Sequence, residues 1–255
     1  MRTNTRYLLS MWGVVAVLCG LVGAGFLYNL RNGEDWIVTA AVAAMLCLLA
    51  IVIVWTRLKI RKLFTEPTPD RAIAFFRRNS ARQPNAKAMA AYLCANAAVV
   101  YGDFDRARQE LCAVNWSTLP PWFQCFESHI HCLFALFESK DYARALEFAQ
   151  EAVELCAVPS AFPGARTSQR ALSAHVAICR LLLGGAGPEA LAELEKAVAR
   201  FRGISAANPA WALAVHHHHA GNEDRAAKYM AIARRLVPHS PVLTAYPSPS
   251  VMFSR

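Results

Sequence analysis

The chain has 255 residues, of which 55% are hydrophobic and 18% are charged, and its formal net charge is +9. Residues 1–62 hold 7 of its 27 basic and 2 of its 18 acidic side chains, which leaves an excess of only four positive charges over the other 193 residues. So small an excess, without a recognised motif, argues against a nucleic-acid partner.

Two charge-free apolar runs lie near the start of the sequence, at residues 7–30 and 36–55. At about 1.5 Å per helical residue, each run is long enough to cross a hydrocarbon core of roughly 30 Å. Neither contains an acid, a base or a histidine, which argues against a transporter or channel. We therefore expect residues 1–62 to form a transmembrane helical hairpin, with a cleaved secretory signal as the alternative for the first run.

The basic residues that flank these runs predict the orientation of the hairpin. Two precede the first run, one lies in the link and four follow the second run. Because positive residues near span ends tend to stay cytoplasmic, both termini are expected inside. Small residues recur every four positions, which suits packing within the hairpin or self-association through it. These residues are Ala16, Gly20 and Ala24 in the first run and Thr39, Ala43 and Cys47 in the second.

Residues 63–85 are predicted to form a linker and one amphipathic helix over Asp70–Arg78, with Asp70 as its N-cap. Two phenylalanines stand beside two arginines in this helix. The pattern suits a cap for the open end of a helical stack, or a helix on the membrane surface.

From residue 86 onward, apolar residues fall at helical spacing and the sequence repeats itself. Four segments combine a turn with a helix that carries an alanine: Gly102–Leu111, Lys140–Leu155, Gly185–Ala197 and Gly221–Ala233. Each resembles the turn and second helix of a tetratricopeptide repeat, in which that alanine allows two helices to cross closely. The aligned alanines are Ala107, Ala145, Ala190 and Ala226.

This resemblance implies an all-α fold, with a tetratricopeptide-like solenoid of about four helix pairs over residues 86–238. Insertions are expected around residues 120–122 and 163–164, because the alanines are more widely spaced than a strict repeat requires. Residues 239–255 lack a helical stripe and contain prolines, so we expect an extended or mobile tail.

In tetratricopeptide domains the first helix of each pair lines a concave groove that binds other proteins. The alanine register places in this groove Met89, Tyr92, Asn96, Val99, Ile130, Phe134, Phe137, Leu172, His175, Cys179, Leu182, Trp211, Val215 and His218. The partner-binding set selected from them is Tyr92, Asn96, Ile130, Phe134, Phe137, His175, Leu182, Trp211 and Val215. The alternative is that these apolar residues only fill the core of a tight superhelix.

Histidines and cysteines offer the remaining chemistry. At most two residues of the run His216–His219 can share a helix face. We therefore expect exposed, partly titrating side chains. The alternative is a metal site that uses His216 and His219. His129 and His131 are two residues apart and should point to different sides of a helix. No CxxC spacing occurs, and the cysteines in the helical patterns are expected as buried thiols.

No catalytic or nucleotide-binding motif occurs in the sequence. The sequence therefore predicts a membrane-anchored scaffold that binds a protein or peptide partner, without enzymatic activity, cofactor or metal. Its layout resembles bacterial inner-membrane proteins of the HemY type, which implies an inner-membrane location. The alternatives are a metal-binding protein or enzyme that uses the histidine helix, and a structural subunit of a membrane complex.

Overall fold

The computed structural model describes residues 36–81, 85–157, 165–184, 187–201 and 203–246. The first predicted span and the insertion around residues 163–164 lie outside these ranges. Every regular element within them is helical, which confirms the all-α prediction for this part of the chain. The chain divides into two compact units, Met1–Lys59 and Ile60–Arg255.

The first helix, α1, spans Trp36–Leu63 and has 28 residues. Its segment Ala43–Leu63 is long and apolar enough to cross a membrane, judged by length and composition. Eight of the nine large apolar side chains that are exposed in the described ranges belong to α1, namely Met45, Leu46, Leu48, Leu49, Ile51, Val52, Trp55 and Leu58. The second predicted run is thus helical, and the helix continues through the basic residues that follow it.

The other helices are α2 (Asp70–Ser80), α3 (Ala86–Val100), α4 (Phe104–Cys112), α5 (Pro121–Phe134), α6 (Tyr142–Ala157), α7 (Ala165–Leu182), α8 (Pro188–Arg200), α9 (Ala207–His219) and α10 (Glu223–Leu236). A π-helical turn, Ala135–Ser139, extends α5, and 3₁₀ turns at Trp116–Thr118 and Gly203–Ala206 precede α5 and α9. From α2 to α10 each helix packs against the next, with one exception: α4 and α5 are linked through the 3₁₀ turn. In addition, α3 packs on α5, and α7 packs on α9. The arrangement is compatible with a helical repeat fold.

Helix α2 has the predicted position but not the predicted cap. Pro69 occupies the N-cap position, so assigning Asp70 as the N-cap was wrong by one residue. The Asp70 carboxylate instead accepts a hydrogen bond of 2.7 Å from Arg106 on α4. A second ion pair joins Arg77 on α2 to Glu110 on α4. The face of α2 that carries Ile73 is buried, so this helix packs on the helical pairs.

The turns within the four pairs share one backbone conformation. The first helix of each pair is followed by a left-handed residue, with φ values of 72°, 57°, 74° and 71° at Gly102, Lys140, Gly184 and Gly221, respectively. Glycine adopts this conformation without the steric penalty that other residues incur. A side-chain oxygen then accepts the backbone N–H three residues later in three of the pairs, at Asp103, Asp141 and Asn222.

The aligned alanines differ in burial. Ala107, Ala145 and Ala226 are fully buried, as close crossing of two helices requires. Ala190 is only half-buried, and its helix begins at Pro188 without a side-chain cap. The third pair, whose sequence match is the weakest, therefore also has the loosest local packing at this position.

Replacing Ala145 with leucine should force a larger side chain into a fully packed position and destabilise the fold by about 1–3 kcal/mol. The matched change Ala190→Leu, at the half-buried equivalent position, should alter stability by no more than about 0.5 kcal/mol. Chemical denaturation of the detergent-solubilised chain, followed by circular dichroism, measures both. Equal effects of the two substitutions would contradict the alignment of these alanines.

Candidate functional site

The C-terminal segment, Pro238–Tyr246, packs against the helices. Leu243 within it is fully buried. The Ser240 hydroxyl accepts the Leu243 N–H at 3.1 Å, and the Thr244 hydroxyl donates to the Ser240 carbonyl at 2.6 Å. These residues are thus turned and packed, unlike the extended or mobile tail that the sequence predicted. Residues 247–255 lie outside the described ranges.

Side chains of α9 and α10 hold the main chain of the C-terminal segment. The indole N–H of Trp211 donates to the Ala245 carbonyl at 3.0 Å. The Arg234 guanidinium donates to the Thr244 carbonyl through two nitrogens, at 3.0 and 3.3 Å. The Tyr246 ring stacks on His218 with a centroid distance of 4.3 Å. Two consecutive carbonyls and one aromatic ring are therefore recognised.

A cavity of about 180 Å³ lies between this segment and the helices. Its lining includes Phe137 and Trp211, whose rings meet edge to face at a centroid distance of 5.2 Å. At the other end of the segment, Pro241 lies close to Gly102. A Cβ atom added to Gly102 would be only 2.9 Å from the Cγ atom of Pro241. The segment thus reaches from the turn after α3 to α9, and we call the surface beneath it the groove.

The sequence placed fourteen residues in a concave groove of the repeats. Three of them line or contact the space beneath the C-terminal segment, namely Phe137, Trp211 and His218. Most of the predicted partner-binding set is buried in the core, namely Ile130, Phe137, His175, Leu182, Trp211 and Val215. Tyr92, Asn96 and Phe134 are half-buried. As partner-binding residues, all nine stay predictions.

Phe134 and Trp211 do not share a surface with each other. The Phe134 ring packs edge to face on Phe104 of α4 at 6.3 Å, with the Arg108 guanidinium 5.4 Å from its centroid. Arg108 also pairs with Glu138. Phe134 therefore lies toward the second helix of the first pair, whereas Phe137 contacts Trp211. The alanine register placed both residues on one surface.

A buried polar chain links the first helices of all four pairs. The Tyr92 hydroxyl lies 3.0 Å from Nδ1 of His129, and Nε2 of His129 lies 3.4 Å from Nε2 of His175. Nδ2 of Asn208 approaches the same His175 nitrogen at 3.0 Å. Nδ1 of His175 lies 3.0 Å from the Ala171 carbonyl. We call these four side chains, Tyr92, His129, His175 and Asn208, the polar chain.

One assignment of protons gives every contact in the polar chain a donor and an acceptor, although two donors then share the single lone pair of His175 Nε2 and the buried Oδ1 of Asn208 has no partner. Tyr92 donates to Nδ1 of His129, and the Nε2–H of His129 and the Asn208 amide both donate to Nε2 of His175. The Nδ1–H of His175 then donates to the Ala171 carbonyl. Both imidazoles are neutral in this arrangement, because a proton on either accepting nitrogen would place two donors face to face.

Burial enforces the neutral state. It lowers the pKa of His129 well below its ordinary value, and the neighbouring His175 adds to this effect. Burial also lowers the pKa of His175, against an opposing contribution from its bond to the Ala171 carbonyl. The polar chain therefore supplies hydrogen bonds between helices without a buried charge.

The other histidines, apart from the exposed His239, are at least partly packed. His131 stacks on Phe148 of α6 at 5.3 Å, on another side of α5 from His129, as the two-residue spacing predicted. His217 is buried against Tyr229, and burial lowers the pKa values of His216, His217 and His219. The expectation of an exposed run was therefore wrong for His217, which is buried because α9 packs directly on α10, whereas His216, His218 and His219 are half-buried.

Within the described ranges, no three side chains of histidine, cysteine, aspartate or glutamate are grouped to hold a metal ion. The cysteines described are free thiols, and five are buried, but Cys112 is exposed at the end of α4. A larger open cleft of about 850 Å³ lies between α6, α7 and α8 and contains none of the predicted binding set. The groove under the C-terminal segment is therefore the candidate functional site.

Comparison with known proteins gives no independent assignment. No protein-family model, curated protein or solved structure matches the chain. The function must therefore be inferred from its own residues.

The sequence did not predict the roles of three residues: Asn208 in the polar chain, and Leu243 and Tyr246 in the C-terminal segment. Asn208 is a polar residue in an otherwise apolar stretch of α9, and that contrast is a signal that could have identified it. Leu243 and Tyr246 are large apolar residues among prolines. The prolines favour a tail, and that prediction does not indicate that these two side chains pack. Their role depends on long-range packing, which local spacing does not encode.

The polar chain predicts acid sensitivity. An unfolded histidine titrates near pH 6.5, whereas His129 and His175 have lower pKa values when folded. Below about pH 6.5 the unfolded chain binds more protons, so these two histidines together should lower the free energy of unfolding by about 1–3 kcal/mol between pH 7.5 and 5.5. The double change of His129→Gln and His175→Gln should reduce this fall.

Urea titrations of the detergent-solubilised chain at the two pH values measure the effect. The substitution of an exposed histidine, His239→Gln, serves as the control. If the double variant shows the same loss of stability on acidification as the control, the two buried histidines are not its source.

Proposed function

We propose that the protein is a membrane-anchored scaffold, and that its four helix pairs form a tetratricopeptide-like solenoid that binds a protein partner. Three features support the solenoid: consecutive packed pairs, repeated left-handed turns and caps, and buried alanines in three pairs. Each pair packs mainly on its neighbours, as helical repeats do. The proposal extends the resemblance seen in the sequence to the whole of residues 86–238.

The anchor is proposed from the segment Ala43–Leu63 together with the apolar run at residues 7–30. The large side chains that α1 leaves exposed between Met45 and Leu58 are apolar, which suits a hydrocarbon environment. Arg61 and Lys62 end this helix, where basic side chains favour the cytoplasmic interface. We propose an integral protein of a bacterial inner membrane with both termini in the cytoplasm.

A reporter inserted at Gly33 should be external and one fused after Arg255 should be cytoplasmic, because basic residues are most frequent outside the link. Alkaline phosphatase, which is active outside, and a fluorescent protein that folds in the cytoplasm form the matched pair of reporters. An external C-terminal reporter would contradict the proposed orientation.

The observation that carries the binding function is that the groove already holds a peptide. Trp211 and Arg234 bind main-chain carbonyls of a non-helical segment, and Leu243 fills a fully buried position. Main-chain recognition combined with side-chain pockets is how many domains bind extended peptides. Trp and Arg are also enriched among residues that dominate binding energy.

In a chain that also carries Leu243→Ala and Tyr246→Ala, whose own segment no longer competes for the groove, Trp211→Phe should lower partner capture about 5-fold, because it removes the indole N–H and keeps most of the ring. Trp116→Phe is the matched control, since Trp116 is equally buried and its indole N–H also donates to a carbonyl, that of Leu111 at 2.9 Å. Quantitative mass spectrometry of co-purified proteins compares the two. Equal capture by both variants would place the binding surface elsewhere.

A further inference from the structure

We infer that the C-terminal segment acts as an intramolecular ligand of the groove, and that the partner is a protein segment that adopts a similar turn and carries a leucine and, three residues later, an aromatic residue. This inference rests on the proposed binding function and names the chemistry of its partner. The partner segment binds by displacing Pro238–Tyr246 from the groove.

The sequence preference follows from which side chains of the segment are enclosed. Leu243 is fully buried, and Tyr246 stacks on His218. Between them, Thr244 is half-buried and Ala245 is exposed, and their carbonyls accept the hydrogen bonds from Arg234 and Trp211. Main-chain carbonyls are the same in every sequence, so only the leucine and the aromatic position select the ligand.

Charge adds a second preference. Lys140 is the single charged residue among those lining the cavity, and the Arg234 guanidinium binds the Thr244 carbonyl of the segment. Basic side chains at the groove disfavour lysine or arginine at the two middle positions of a ligand. The partner segment is therefore neutral or acidic between its leucine and its aromatic residue.

The segment is joined to the last helix through exposed residues. Helix α10 ends at Leu236, and the buried Val237 follows it. Pro238 and His239 are exposed, so backbone rotation at His239 would release the segment, and the release would withdraw Leu243 from the core cluster. Because a tethered segment has an effective concentration in the millimolar range, it raises the concentration of partner needed for binding and excludes weak ligands.

The test uses the full detergent-solubilised chain with Leu243→Ala and Tyr246→Ala, which weakens the internal ligand and leaves every groove residue unchanged. The probe is a fluorescent peptide with the sequence of residues 238–246, measured by fluorescence anisotropy. It should bind the double variant at least 10-fold more tightly than the unaltered chain. The same peptide with alanine at the leucine and tyrosine positions should bind at least 10-fold more weakly.

Adding Trp211→Phe to the double variant should weaken peptide binding about 5-fold, whereas adding Trp116→Phe should not change it. Absence of binding to a double variant that keeps its helical circular dichroism would overturn the inference. If the double variant loses helix, Tyr246→Ala alone replaces it, and the probe must then bind this variant more tightly than the unaltered chain. Equal affinity for the variant and the unaltered chain would also overturn it.

The result is separable from that of the proposed function. Partner capture that falls with Trp211→Phe, without peptide binding to the double variant, would leave the scaffold proposal standing and reject the internal ligand. A dimer of the unaltered chain that is lost on substitution of Leu243 and Tyr246 would assign the groove to a second copy and reject a separate partner. Light scattering of the purified protein measures that dimer.

Discussion

The close contact of the two helices in each pair depends on a side chain no larger than a methyl group at one position of the second helix. Ala107, Ala145 and Ala226 are fully buried there, and a left-handed residue before each second helix reverses the chain. With the second helices held close, the first helices of neighbouring pairs can also meet. His129 of α5 and His175 of α7 lie within hydrogen-bonding distance as a result.

The polar chain gives this packing a defined register. Apolar surfaces tolerate small sliding movements, whereas a buried hydrogen bond is lost when its partners shift. Four side chains from four different first helices are joined by hydrogen bonds here, with the buried Oδ1 of Asn208 left without a partner, and burial favours neutral imidazoles. Such a network contributes to the choice of one arrangement of the helices more than to the total stability, because each bond replaces one made with water in the unfolded chain.

Local features of the fold could be predicted from the sequence because their causes are local. The turn, the alanine and the helix that follows occupy about ten consecutive residues, and all four second helices lie where the copies indicated. The direction of side chains on the first helices depends on how one pair rotates against the next, which spacing does not encode. Phe134 thus faces Phe104, whereas Phe137 meets Trp211 from two pairs away. The packing of Leu243 is likewise a contact that local sequence did not reveal.

The C-terminal segment of the chain occupies the groove between its own helices. Hydrogen exchange measured by mass spectrometry on the unaltered chain in detergent tests this most directly. The amide of Leu243, which donates to Ser240 inside the packed segment, should exchange at least about 10-fold more slowly than in the free peptide, as an opening free energy of about 1.4 kcal/mol or more requires. Exchange at the rate of the free peptide would contradict an occupied groove.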